Sequence, residues 1–258
     1  MTARRTLRRT LRRTLGGLVA AMAVAAGLGT AGEAGQSTPP PDLASVYDVY
    51  FGGIWAGEFT VNADFDTDSY RAGFDFRTTG IVARLITLAY SARATGRIGP
   101  AGLTPAHFTY DSLEDDDRRR VEMAYADGTP GILRVEPPFK VRPWSIEASA
   151  QTGIADPLSA GLTVFAPAPE GELCDRSTEI FDGRRRYSIQ IGPPEHKGGR
   201  IRCPALFVRL AGYKPKWMGK RARNPFTLEY ARRPDGLYHP ARVWARTEYG
   251  TTAILLRE

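Results

Sequence analysis

Phe59-Thr60-Val61-Asn62-Ala63-Asp64-Phe65, followed after a short polar break by Tyr70-Arg71-Ala72-Gly73-Phe74-Asp75-Phe76-Arg77, is the stretch on which the fold turns. Apolar and polar residues alternate strictly in both runs. A strand sends successive side chains to opposite faces, so each run predicts a half-buried strand, and a helix would scatter the same residues around its axis. Turn signals separate such runs along the chain, and adjacent strands joined by short turns must be antiparallel. The two strands are therefore expected to be antiparallel neighbours.

The same period recurs outward in both directions. Leu88, Tyr90, Ala92, Ala94 and Ile98 share one face of the next run, and further strands are predicted near 105–113, 118–126, 131–136, 175–181, 184–191, 200–210, 226–231, 238–247 and 250–257. Gly52-Gly53, Gly99-Pro100-Ala101-Gly102, Asp127-Gly128, Asp182-Gly183 and Asp235-Gly236 supply the turns between them. Helical spacing appears at 80–86 and at 155–166. In the latter, Asp156 before Pro157 reads as an N-cap followed by a proline in the first turn. About a dozen antiparallel strands tend to curl or close to protect their edges. An all-β, curved half-barrel or barrel-like sheet with one or two short helices is the expected architecture.

Ahead of this lies a segment of another kind. Three arginine pairs, at 4–5, 8–9 and 12–13, precede a run of Leu, Ala, Val, Met and Gly from Leu15 to Leu28, and small residues follow. That run is too short to span a bilayer, which takes about 20 residues, but suits a secretory signal cleaved after Ala31 or Ala34. The chain then divides into a signal at 1–34, a proline-rich linker at 35–44 and one β-rich domain at 45–258, located in the periplasm and without a transmembrane span. Removing the six arginines and one glutamate of the signal lowers the formal charge from +7 to +2. Nucleic-acid binding, which needs a basic face to neutralise phosphates, is not expected of such a domain.

Cys174 and Cys203 are the two cysteines, and an isolated pair in an oxidising compartment is expected to be bridged. A simple meander would hold their strands about 9.6 Å apart, too far for a disulfide, so Cys174 must lie in an end loop or the strands must be reordered. Nucleophile elbows and phosphate-binding glycine loops are absent from the sequence, and His107, His196 and His239 are too scattered to form a zinc-binding pattern. No metal, cofactor or catalytic residue is assigned. The acidic run 114–117 beside Arg118-Arg119-Arg120 reads as a solvated hairpin tip.

Two features suggest binding instead. Lys214, Lys216, Lys220, Arg221 and Arg223, interleaved with Trp217, form a basic loop suited to an anionic head group. Phe74, Phe76 and Tyr90 are expected among the aromatic residues lining the concave face, which could hold a lipid or a hydrophobic peptide.

Tyr47-Asp48-Val49-Tyr50-Phe51-Gly52-Gly53-Ile54-Trp55-Ala56-Gly57-Glu58, Gly96-Arg97-Ile98 with Gly102-Leu103-Thr104-Pro105, Asp156-Pro157-Leu158-Ser159 and Phe181-Asp182-Gly183-Arg184-Arg185-Arg186-Tyr187 occur in this order. Together they resemble a bacterial family of exported proteins known as domain of unknown function 3108. The resemblance implies a periplasmic β-rich protein and carries no catalytic residues over. The expectation is a non-catalytic carrier for a hydrophobic or amphipathic envelope ligand. An envelope assembly factor binding a protein partner through a sheet edge, and a hydrolase of envelope polymers, are the alternatives.

Overall fold

The computed structural model describes residues 41–100, 102–247 and 250–257. The segment read as a signal, the cleavage sites expected in it and most of the stretch read as a linker lie outside the described residues. The described chain folds into one 14-stranded antiparallel sheet. Its first half is an up-and-down meander of β1 (Leu43–Phe51), β2 (Ile54–Phe65), β3 (Ser69–Thr78), β4 (Leu88–Gly99), β5 (Gly102–Glu114), β6 (Asp117–Ala126) and β7 (Thr129–Glu136). A one-turn helix, α1 (Gly80–Ala83), interrupts it between β3 and β4. The strands predicted around 59–65 and 70–77 pair as expected, with Phe59 opposite Phe76 and Val61 opposite Phe74. β1 begins at Leu43, two residues inside the stretch read as linker, because Leu43 is buried and pairs with Ala63.

The second half runs through β8 (Arg176–Phe181), β9 (Arg186–Ile191), the short β10 (Glu195–Lys197), β11 (Arg200–Ala211), β12 (Arg223–Arg232), β13 (Tyr238–Thr247) and β14 (Gly250–Leu256). β14 pairs with β1, so the two meanders join through the first and last strands and leave β7 and β8 at the edges. Turn chemistry accounts for the hairpins. Gly52 and Gly53 (φ 57° and 83°) and Asp127 and Gly128 (49° and 73°) have the paired positive φ that matches the twist of the flanking strands.

Between β7 and β8 the chain crosses the concave face, carrying α2 (Pro157–Phe165). α2 touches β3, β4 and β5 of one half and β8 and β13 of the other, so it is the plug of a curled half-barrel. The connection also ties the two edges. The Gly153 amide donates to the Gly128 carbonyl (2.9 Å) in the β6–β7 turn, and the Phe181 amide of β8 donates to the Ala155 carbonyl (2.9 Å). The β8–β9 turn closes in from the far edge. A Cβ on Gly183, whose φ is +87°, would lie 2.7 Å from Cγ1 of Val121 on β6, so only glycine fits both the turn and the contact.

The inner face is the core. Tyr47 and Phe59 stack at 4.7 Å, and Phe165 of α2 meets both edge-on, at 5.4 and 5.8 Å. Burying each such side chain contributes about 1.5–3 kcal/mol. Cys174 and Cys203 form a disulfide with Cα atoms 5.7 Å apart. Of the two geometries the sequence allowed, the structure adopts the end loop: Cys174 precedes β8 and reaches over β9 to β11.

Candidate functional site

The alternation that builds the sheet also sorts its two faces. Glu58, Asp75, Arg77, Asp111, Arg120 and Glu136 line an outer groove of about 880 Å³. Ion pairs run along it: Arg77 pairs with Glu58 at 2.7 Å and Arg120 with Asp111 at 3.0 Å, and beside the groove Arg93 pairs with Asp75 at 3.0 Å. This is a solvated sheet face laced with exposed ion pairs, each contributing little.

On the other face, a chamber of about 380 Å³ lies between the sheet and α2. Phe59, Val61, Phe74, Ala92 and Phe108 form its floor, and Leu158, Gly161 and Phe165 of α2 its roof. The chamber stays unfilled where small residues, Ala92 and Gly161, stand among large ones. Its mouth is polar, with Glu114, Asp117, Arg118 and Arg119 from the β5–β6 tip and Asp182, Arg184 and Arg185 from the β8–β9 turn. Asp182 is half-buried, and its Oδ1 accepts from the amides of Arg184 (2.9 Å) and Arg185 (2.7 Å). Burial holds this carboxyl above the usual carboxylate range. Its role is to shape the turn that presents the two arginines.

Phe139, from the connection after β7, also lines the chamber and takes the Arg184 guanidinium at 5.1 Å and that of Arg119 at 5.9 Å. Burial first, and then repulsion from Arg185 and Arg119, lowers the pKa of Arg184 from its ordinary value.

Among the residues expected to bind, Phe74 lines the chamber, 5.4 Å from Phe59. Phe76 and Tyr90 face inward but are packed, stacked on each other at 5.7 Å, with Tyr90 in turn on Tyr110 at 6.1 Å. The basic loop at 214–223 lies beside the mouth, and none of its described residues lines the chamber. Lys214, Lys216 and Arg223 are exposed, and Trp217 lies under Arg209 at 5.7 Å. Tyr213, just before the loop, receives Arg185 at 5.3 Å, which puts the loop one side chain from the mouth. The side chains of Lys220 and Arg221 lie outside the described residues.

The arginines of the mouth were therefore missed. Arg119 was available to the same alternation rule, since it shares a face with Val121 and Met123 and stands opposite Ser112, inside the sheet. Arg184 and Arg185 carried no such signal, because they depend on where a turn lands.

One buried polar group holds the roof in place. Asp156 caps α2, its Oδ1 accepting from the Leu158 and Ser159 amides (both 2.9 Å) and its Oδ2 from the Ser159 hydroxyl (2.5 Å), which in turn accepts from Tyr70 (2.6 Å). Burial outweighs these hydrogen bonds and lifts its pKa from 3.8 to about 6. The folded protein thus binds this proton more tightly than the unfolded chain does, and the stabilisation present at about pH 4 declines by about 2–3 kcal/mol as pH rises through 6. Asp156→Asn keeps an N-capping side chain. Subtracting its urea-unfolding free energies at pH 4 to 7 from those of the parent is expected to isolate this slope, and identical pH profiles would refute it.

Among the described residues no helix is long and apolar enough to cross a membrane. Residues 46–256 match the family described as a protein of unknown function, DUF3108. No curated protein and no solved structure matches the chain.

Proposed function

The chain belongs to the DUF3108 family, and on that footing we propose that it is an exported, periplasmic, non-catalytic carrier of a hydrophobic or amphipathic ligand of the cell envelope. The observation that carries this reading is the chamber, about 380 Å³ with apolar walls and a polar mouth, roofed by a helix that is not part of the sheet. Small-molecule sites have this form: a largely apolar concavity with a few polar groups gathered at one end. The arginine-rich start of the chain, followed by an apolar run and small residues, supports export.

Ala92 provides the test. It stands on β4 between Phe74 and Tyr110 in register and faces the chamber. Ala92→Phe places a ring in that space at a folding cost of about 1–3 kcal/mol. The full chain is expected to bind an environment-sensitive fluorescent fatty-acid analogue, and the folded variant to bind it at least about tenfold more weakly, a difference of roughly 1.4 kcal/mol. Equal binding by the two proteins would overturn the assignment of the site.

A second reading rests on β7, which pairs with β6 alone in the sheet and exposes Ile132 (38%) and Leu133 (61%). Such an edge could add a strand from a protein partner, as an assembly factor would. The carrier reading is preferred because it accounts for the chamber, its roof and its mouth together.

A further inference from the structure

We infer that the mouth of the chamber is an oxyanion site, and that the ligand is a single-chain amphipath with a carboxylate or phosphate head. This inference rests on the carrier reading and deepens it. Arg119, Arg184 and Arg185 converge on the mouth from two elements that meet only because the sheet curls. Among the described residues, no carboxylate forms an ion pair with any of the three, whereas Arg77 and Arg120 on the outer face are paired. Three acids share the mouth. Asp182 accepts from the backbone of its own turn and its charge also acts on Arg185 and Arg184, without a side-chain ion pair to either, and Glu114 accepts from the Tyr90 hydroxyl at 3.3 Å. The third, Asp117, sits at the start of β6 in the hairpin tip, paired in register with Glu114.

Arg119 and Arg184 are half-buried and Arg185 is exposed; gathering like charges partly out of water costs free energy unless an anion joins them, and planar guanidinium forks match two-oxygen acceptors. Phe139 meets both Arg184, at 5.1 Å, and Arg119, at 5.9 Å, and so gathers the two guanidinium groups around one ring. The tail follows from the volume. About 380 Å³ is room for roughly a dozen water-sized groups, and a methylene is of that size, so one chain of about twelve carbons fits and two do not.

Calorimetric titration of the full chain with dodecanoate, dodecyl phosphate and dodecanol, below their aggregation concentrations, separates head from tail. Both anions are expected to bind at least about tenfold more tightly than the alcohol at low salt, and the stronger of the two names the head. Arg119→Gln combined with Arg184→Gln should remove the preference, so that the variant binds the anions no more tightly than it binds the alcohol; a preference of the anions kept in this variant also overturns the oxyanion site. Equal binding of all three by the unaltered chain overturns the oxyanion site while the carrier reading stands. Binding of none overturns both.

Discussion

Replacing Phe165 by alanine is expected to cost about 3–5 kcal/mol of folding stability, the range for emptying a buried phenylalanine site. Phe165 ends α2, is 5% exposed, and is the ring through which the helix grips the stacked pair of Tyr47 and Phe59. Those two residues belong to β1 and β2, at the junction of the meanders, so the contact fastens the roof to the centre of the sheet. A loss of this size is a large share of the 5–15 kcal/mol typical of a domain. Equilibrium urea unfolding of Phe165→Ala beside Phe165→Leu provides the check, with leucine expected to recover part of the loss. A cost below about 1 kcal/mol would mean that α2 does not pack on the sheet as described.

Removal of the disulfide is the second large effect. Cys174 and Cys203 are 29 residues apart, and opening a loop of that length relaxes the unfolded chain by about 3–4 kcal/mol in the loop-entropy account. Both cysteines are buried in the core cluster, so serine at both positions adds the cost of burying two hydroxyls. The double Cys→Ser chain is expected to unfold at markedly lower urea than the parent, and adding a reductant should move the parent toward it. If reductant leaves the parent's midpoint unchanged while the thiols become titratable, the bridge does not hold the end loop to β11.

The parts of this protein that follow local rules could be read from its residues. Period-two alternation located nearly every strand, because each strand has one wet and one buried face, and the Gly-Gly and Asp-Gly turns fixed which strands are antiparallel neighbours. Asp156 and Pro157 marked the start of α2, since a cap and a first-turn proline act within a few residues. What lay beyond reach was long-range. Nothing local says that β1 pairs with β14, or that the connection after β7 returns across the concave face. The chamber depends on that return, and so does its mouth, which brings Arg119 from a hairpin tip to Arg184 and Arg185 from a turn 65 residues on. The basic loop at 214–223 stands out in the sequence because its charges lie within ten residues of one another, whereas the arginines that line the chamber are gathered by curvature. The Asp182-Gly183-Arg184-Arg185 stretch reads in the sequence as a turn and carries part of the family resemblance, and in the fold Asp182 ties the turn, Gly183 admits Val121, and the arginines line the chamber.

The most direct measurement for the central claim is mass spectrometry of an organic extract from the full chain, purified without detergent from the envelope fraction of its own host, with Ala92→Phe prepared in parallel. A stoichiometric single-chain amphipath in the parent and its loss from the variant are the expected result. An extract empty of any amphipath, repeated after incubation with envelope lipids, would contradict the carrier function and transfer the weight of evidence to the β7 edge and a protein partner.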